Sequence, residues 1–277
     1  MSNFPNSGRL LLTQTRYQLV TFWRIPVAMF FTLALPLLLL LVVNALFGNE
    51  TIETDEGTWS VSQFYTGGLA AFTAVSATYT NIANMVPIRR DEGVLKRWRG
   101  TPLPTWTYIG GFVLSAVAIA FVGVILMLGL GVVLYDLEIV WAKMPAAAVS
   151  FTVGVSSFAA LGMAVAALVK TASSASAVAN ATILPLAFIS NVFIISEGGP
   201  AWIETLGNIF PLRPFVESMQ GCFTPFVEPP AFNWDKLAFV ALWGVAGLLV
   251  AVRRFTWEPS ATAAAGRRNR RSGDVPL

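Results

Sequence analysis

The stretch PIRRDEGVLKRWRGTPLP, residues Pro87–Pro104, lies between two long apolar segments and predicts a short surface helix. Asp91 and Glu92 stand near its start and basic residues near its end, which is the arrangement that the helix dipole favours. Gly100 is suited to cap the C-terminus, and a proline two residues later prevents the helix from continuing. We therefore expect one continuous helix between Pro87 and Gly100.

One face of this predicted helix is apolar, because Trp98 lies four residues after Val94 and three after Leu95. An amphipathic helix between two membrane spans is suited to lie on the cytoplasmic surface and to contact a partner protein. The alternative is an ordinary basic loop, whose Lys and Arg residues only keep it on the cytoplasmic side.

The composition is that of a membrane protein, since 55% of the residues are hydrophobic and 12% are charged, against about 25% charged in soluble domains. The chain has no histidine, which excludes histidine general bases, histidine metal sites and haem ligation through histidine. Cys222 is the single cysteine, so we expect no intrachain disulfide and no metal site, and we interpret it as a packing residue.

The pattern of apolar segments predicts an all-α integral membrane protein with six transmembrane helices. Their expected limits are Ile25–Phe47, Val61–Val86, Trp106–Leu134, Met144–Val169, Ser176–Ile195 and Leu237–Val252. The last segment is short, and we expect Phe232 and Trp234 to extend it. Residues 1–24 lack a signal-peptide pattern, so the first span is expected to be retained.

Shorter segments flank or interrupt the transmembrane domain at 25–255. Residues 1–24 form a cytoplasmic N-terminus, with an amphipathic interfacial helix from Arg9 to Arg24. The loop at 87–105 is cytoplasmic, and the outer segment at 196–236 is expected to hold two short interfacial helices before the last span. Residues 256–277 form a basic cytoplasmic tail that we expect to be disordered.

The second span is unusually polar for a membrane helix. Hydroxyl and amide side chains are costly against lipid, so they are expected to line an aqueous path or to join helices by hydrogen bonds. Both interpretations remain open at this point. The substrate-path hypothesis names residues of this span and two amides near the fifth span: Gln63, Thr66, Thr73, Asn81, Asn180 and Asn191.

The charge distribution predicts that both termini lie in the cytoplasm. With six spans in this orientation, all of the 18 Lys and Arg residues except Lys143, Arg213 and Lys236 fall on the inner side. The acidic residues divide the opposite way, since only Asp91, Glu92, Glu258 and Asp274 fall inside. The expected location is a bacterial cell membrane.

The basic loop resembles the cytoplasmic coupling loop of ABC-2 type transport permeases, daunorubicin-resistance permeases among them. The matching residues are Arg90, Gly93, Leu95, Lys96, Arg97, Arg99, Thr101, Pro102 and Leu103. The N-terminal amphipathic helix resembles the elbow helix of that family. The segment from Phe188 to Pro214 and the Arg-Arg-Phe-x-Trp-x-Pro run from Arg253 to Pro259 resemble its later regions.

The resemblance implies two six-span subunits with two cytoplasmic ATPases, and cargo that passes near spans 1, 2 and 5. It also implies that the loop contacts the ATPase through Arg90, Asp91, Glu92, Gly93, Leu95, Lys96, Arg97, Trp98 and Arg99. The chain lacks the G-x-x-x-x-G-K-[ST] phosphate loop, so the ATPase must be a separate chain. ATP and Mg²⁺ would bind that partner, and this chain would hold no cofactor.

The sequence therefore predicts the non-catalytic membrane subunit of an ATP-driven exporter. A predominantly apolar path suits an amphipathic cargo, such as a hydrophobic drug or an envelope lipid, and a glycan remains open. The alternatives are a secondary transporter and a structural membrane assembly protein. The absence of Asp, Glu, Lys and Arg well inside the spans weakens the case for an ion-coupled secondary transporter.

Overall fold

A computed structural model describes residues 6–47, 50–54, 57–100, 104–135, 137–194 and 200–258. Apart from one short hairpin, the regular structure of these residues is helical. The long helices are α1 (Ser7–Trp23), α2 (Pro26–Phe47), α3 (61–91), α5 (Thr105–Tyr135), α6 (Met144–Leu168), α7 (Ala172–Ile189) and α10 (Trp234–Arg254). The short ones are α4 (Val94–Arg99), α8 (Ala201–Ile209) and α9 (Leu212–Gly221).

Five helices in the described part of the chain are long and apolar enough to cross a membrane. They are α2, α5, α6 with the 3₁₀ turn Trp141–Lys143 before it, α7 and α10. The chain is thus a helical integral membrane protein, as predicted. The predicted limits of these five spans agree within a few residues except for α7, which begins at Ala172 and ends at Ile189. The predicted second span, Val61–Val86, lies in α3, which is not among the five.

Proline explains an irregularity in the first apolar helix. A π-helical turn, Phe30–Ala34, interrupts α2 immediately before Pro36. Pro36 has no backbone N–H to donate, and its ring crowds the preceding turn, so the widened turn accommodates it without ending the helix. Proline therefore changes the helix type locally, and the helix continues to Phe47.

Helix α3 is the centre of the bundle. It consists of α-helical Val61–Val75 and Asn81–Asp91, joined by a π-helical turn, Ser76–Thr80. It contacts α2, α5, α6, α7 and α9, and almost every residue of its first half is buried. Small residues allow these neighbours to approach closely, among them Ala70, Ala71, Ala74 and Ala77, all fully buried.

Helix α1 packs against the N-terminal part of α5 with a polar face. Gln14, Thr15 and Gln18 are buried there, while Tyr17 and Trp23 on the other face are exposed. Gly111 makes this contact possible, because a Cβ at that position would lie 2.6 Å from the Gln14 Cβ. The face of α1 that points away from the protein therefore carries large apolar side chains together with Arg9 and Arg16.

Helices α6 and α10 pack against each other as closely as α1 and α5 do. A Cβ at Gly244 would lie 2.5 Å from the Ser157 Oγ, and one at Gly247 would lie 3.0 Å from the backbone nitrogen of Leu161. The two glycines stand three residues apart, so they form a flat strip on α10 against which α6 lies.

The side of the bundle opposite the α3–α4 junction holds two features that differ from expectation. Strands β1 (Thr51–Thr54) and β2 (Gly57–Ser60) pair as an antiparallel hairpin, which the all-helical prediction missed. The two short helices α8 and α9 are present where predicted. However, α9 is not a surface helix, because its residues from Leu212 to Val216 are buried among α3, α6 and α10.

Candidate functional site

The predicted surface helix is divided in two. Helix α3 continues through Pro87 to Asp91, and only the six residues Val94–Arg99 form the separate helix α4. The prediction of one helix from Pro87 to Gly100 was therefore wrong, and Asp91 ends a helix instead of beginning one. Gly93 causes the break, since it adopts φ 66°, a left-handed conformation that glycine accepts without strain.

Arg90 and Asp91 join the end of α3 to the turn between α6 and α7. The Arg90 guanidinium donates to the carbonyl oxygens of Ala166 (3.2 Å) and Val169 (2.6 Å) at the C-terminal end of α6. A carboxylate oxygen of Asp91 accepts a hydrogen bond from the backbone nitrogen of Ala172, 2.8 Å away, at the N-terminal end of α7. We call this arrangement the Arg90–Asp91 clamp.

The clamp has the charge arrangement that two helix ends require. The last carbonyl groups of a helix lack partners and carry partial negative charge, and the first N–H groups carry the opposite charge. Arg90 is only 2% exposed, and burial lowers the pKa of its guanidinium while Asp91, 3.9 Å away, opposes that shift. The clamp therefore holds three helices at one corner of the bundle.

Helix α4 turns its apolar face toward its own protein. Leu95 is 1% exposed, and the half-buried Trp98 ring lies 5.6 Å from the Tyr108 ring of α5. Neither side chain is free to bind a partner in the way that the sequence suggested. The exposed part of this corner is charged: Glu92, Lys96 and Arg97. The side chain of Arg99 and residues Thr101, Pro102 and Leu103 lie outside the described part.

Thr66 and Thr73, two of the predicted path residues, are fully buried between α3 and α5. Each hydroxyl donates to the carbonyl four residues earlier in its own helix, at 2.6 and 2.8 Å. Their methyl groups lie against Gly131 and Gly123 of α5, where an added Cβ would approach within 2.8 and 2.6 Å. These contacts favour helix packing, the alternative to a path.

The structure does not bring the predicted amides to one place. Gln63 and Asn81 are half-buried on α3, and their 18-residue separation corresponds to roughly 27 Å of helix. Asn81 borders a small cavity beside Gln18 and Arg89. Asn191 is buried after α7 with φ 57°, where its carbonyl accepts from the Gln220 side chain.

Asn180 belongs to an exposed polar stripe along α7. Ser173, Ser176 and Asn180 lie on one exposed face, while Ala175, Ala179 and Ile183 on the other face are buried. In the sequence these three residues are spaced by three and four positions, which places them on one face of a helix. The sequence does not show whether that face is exposed or covered by other helices. Polar side chains exposed on a helix that is apolar enough to span a membrane require an aqueous or protein neighbour.

Sequence reasoning missed the contacts that charged side chains make at the opposite end of the bundle. Lys143 is 2% exposed, and its amine donates to the Thr224 carbonyl. Arg213, at the start of α9, pairs with Glu217 at 2.7 Å, and Lys236 of α10 binds the same carboxylate at 2.8 Å. These contacts fasten the segment after α8 to the spans around it.

Comparison with known proteins supports the sequence resemblance. The profile of a family described as ABC-2 type transporter matches residues 9–224. No curated protein matches the chain significantly. The matched range begins in α1 and ends after α9, so it includes the clamp, α4 and the polar stripe of α7.

Proposed function

Because the chain belongs to the ABC-2 type transporter family, we propose that it is the membrane subunit of an ATP-driven exporter. A separate ATPase chain hydrolyses ATP with Mg²⁺, and this chain carries the cargo outward. The cargo class is a hydrophobic or amphipathic molecule, such as a drug, an envelope lipid or a glycan carried on a lipid.

The corner formed by α4 and the clamp carries this proposal. Lys96 and Arg97 are exposed on a short helix whose other face is fixed to the protein through Leu95 and Trp98. A partner that moves α4 therefore moves the end of α3. Since Arg90 and Asp91 bind the α6–α7 turn, the same motion reaches two further helices. This geometry suits the transmission of a rigid-body motion from an ATPase.

The proposed topology has six spans, with α3 as the second and with both termini in the cytoplasm. The contacts of the clamp support it, because they bring the α3–α4 junction and the α6–α7 turn to the same side. Helix α1, which exposes large apolar side chains beside Arg9 and Arg16, is the interfacial elbow helix in this arrangement. Arg253 and Arg254 end α10 on the cytoplasmic side.

We further propose that the exposed polar stripe of α7 faces a second permease subunit across the cargo path. Ser176 and Asn180 then meet water, cargo or the second subunit instead of lipid. Gln63 and Asn81 remain proposed path residues because they are only half-buried. Thr66 and Thr73 are better explained by their packing against α5.

The test is purification of the full chain from its native host, with identification of any co-purifying ATPase by mass spectrometry. The complex is then reconstituted in liposomes, where ATP hydrolysis and outward transport of a fluorescent amphipathic compound are measured. We expect an ATPase with a G-x-x-x-x-G-K-[ST] motif, and hydrolysis that the cargo stimulates. Recovery of the intact chain without such an ATPase, or without ATP-dependent transport, would contradict the proposal.

A charge-reversed variant tests the docking surface itself. We expect Lys96→Glu with Arg97→Glu to reduce ATPase recovery at least tenfold without changing the melting temperature, because both side chains are exposed. The matched control is Arg9→Glu with Arg16→Glu, which makes the same charge change on the exposed surface of α1. Equal ATPase recovery from the two double variants would remove α4 as the docking helix.

A further inference from the structure

An apolar groove separate from the proposed cargo path lies between α5, α6 and α10. Its volume is about 460 Å³, within the range of small-molecule sites. Among the described residues that line it, Ser156 has a hydroxyl group and Trp257 an indole N–H, and the others are apolar. Ala159, Ala160 and Ala251 are small enough to leave the space open between the three helices.

The groove has the depth of one membrane leaflet. Its wall on α5 runs from Ile109 to Val117, eight residues that correspond to about 12 Å of helix. Half of a bilayer's hydrocarbon core is about 15 Å thick. The residues that line the groove extend from Ile109, near the end of α5 next to α4, to Ser156 in the middle of α6, so the lining follows the depth of one layer of acyl chains.

The open end of the groove has the residues of a headgroup region. Phe255 and Trp257 line it with their rings 5.0 Å apart, and Trp106, 54% exposed, lies one turn before Ile109. Arg253 and Arg254 do not line the groove themselves, but both are exposed at the end of α10, between the lining residues Val252 and Phe255. Positive charge and aromatic rings beside an apolar groove are complementary to a molecule with an anionic head and an acyl chain.

We propose that this groove binds one anionic phospholipid, with an acyl chain against Ala159 and Ala160 and the phosphate beside Arg253 and Arg254. The charge at the open end favours this occupant over a second copy of the chain, whose apolar surface would leave the arginines unpaired. The residues that follow the groove in sequence, Pro259 to Gly266, have no large apolar side chain to fill it. The inference requires that α5, α6 and α10 cross the membrane, but not that the chain exports anything.

Native mass spectrometry of the delipidated full chain tests the proposal, with phosphatidylglycerol and phosphatidylcholine as the two probes. We expect one bound phosphatidylglycerol, with at least a tenfold preference over phosphatidylcholine. Ala160→Trp should abolish binding of both lipids by filling the groove. Arg253→Gln with Arg254→Gln should remove the preference and leave weak binding of both.

Two controls make the result specific. Val133→Trp adds the same side chain at a 77% exposed site on the far end of α5, and Arg9→Gln with Arg16→Gln removes the same charge from α1. Both should bind lipid as the wild type does. Wild-type lipid binding by Ala160→Trp, or an unchanged preference in the arginine variant, would overturn the proposal.

Photo-crosslinking gives a readout that does not depend on the folding of a variant. A phosphatidylglycerol with a diazirine in its acyl chain should label wild-type peptides from 105–135 and 234–258, and a tenfold excess of unlabelled phosphatidylglycerol should suppress this labelling. Labelling confined to α7 or to other helices would contradict the site. Displacement of the label by transported cargo, with no effect of unlabelled phospholipid, would identify the groove as a cargo site and overturn the proposal.

Discussion

At the scale of single residues, Arg90 has the least replaceable contacts at the candidate site. Its guanidinium is buried and supplies two donors to carbonyl groups at the end of α6, and the bond to the Ala166 carbonyl is itself buried. A carbonyl that loses its partner in such a place keeps the full cost of desolvation. Arg90 is therefore a residue of the fold first, and in the proposed mechanism it would affect coupling only through the position of α4.

Replacement of Arg90 tests this assignment. We expect Arg90→Met to lower the free energy of unfolding by about 2–4 kcal/mol, since two charge-assisted hydrogen bonds are lost while the side-chain volume is roughly kept. The melting temperature of the purified chain measures the effect. Lys96→Met is the control, because Lys96 is exposed and should leave the melting temperature unchanged. Equal melting temperatures of the two variants would show that the clamp contributes nothing to stability.

At the scale of elements, close packing of the helices depends on the positions of glycine residues, which have no side chain. Gly244 of α10 leaves no space for a Cβ beside Ser157, whereas a Cβ at Gly129 of α5 would meet nothing within 4 Å. The sequence alone treats the two glycines alike. Their difference arises only when the partner helix is in place.

Paired substitutions separate the two cases. We expect Gly244→Ala to destabilise the chain by about 1–3 kcal/mol, because α6 must move to accept the methyl group. Gly129→Ala should leave stability unchanged or raise it slightly, since alanine favours a helix by up to about 1 kcal/mol. Thermal unfolding in the same detergent compares them. An equal loss of stability in both variants would contradict the close contact of α6 and α10.

Long apolar segments could be predicted from the sequence because their length and hydropathy are local properties. The prediction of one continuous surface helix was also wrong for a local reason. A single residue, Gly93, adopts a left-handed conformation that ends α3, and the rules for helix ends did not identify it. The apolar face of α4 was identified correctly, but the surface that it contacts was not. Leu95 and Trp98 pack within the chain and not against a partner protein. The clamp could not be predicted, because Arg90 and Ala166 meet only in the folded bundle.

At the scale of the whole molecule, the orientation in the membrane decides what each surface can bind. Glu50 before the hairpin and Lys170 in the α6–α7 turn are both exposed and belong to opposite sides in the proposed topology. Single cysteines at these positions therefore report the topology directly. The native cysteine interferes little, because burial raises the pKa of the Cys222 thiol to about 11.

Labelling with a membrane-impermeant maleimide in intact cells measures the orientation. We expect Glu50→Cys to react and Lys170→Cys to react only after the membrane is opened. The wild-type chain should remain unlabelled at pH 8, where roughly one part in a thousand of a thiol with that pKa is thiolate. Reaction of Lys170→Cys alone in intact cells would reverse the proposed orientation and place α4 outside.

The buried polar surface of α3 has a consequence for how the chain is made. A segment rich in hydroxyl and amide groups partitions weakly from the translocation channel into lipid by itself. Here those groups become buried only when α2, α5 and α6 surround them. In the proposed topology, we therefore expect α3 to remain beside the channel until later segments have been synthesised, so that its entry into the bilayer and the assembly of the bundle become one event.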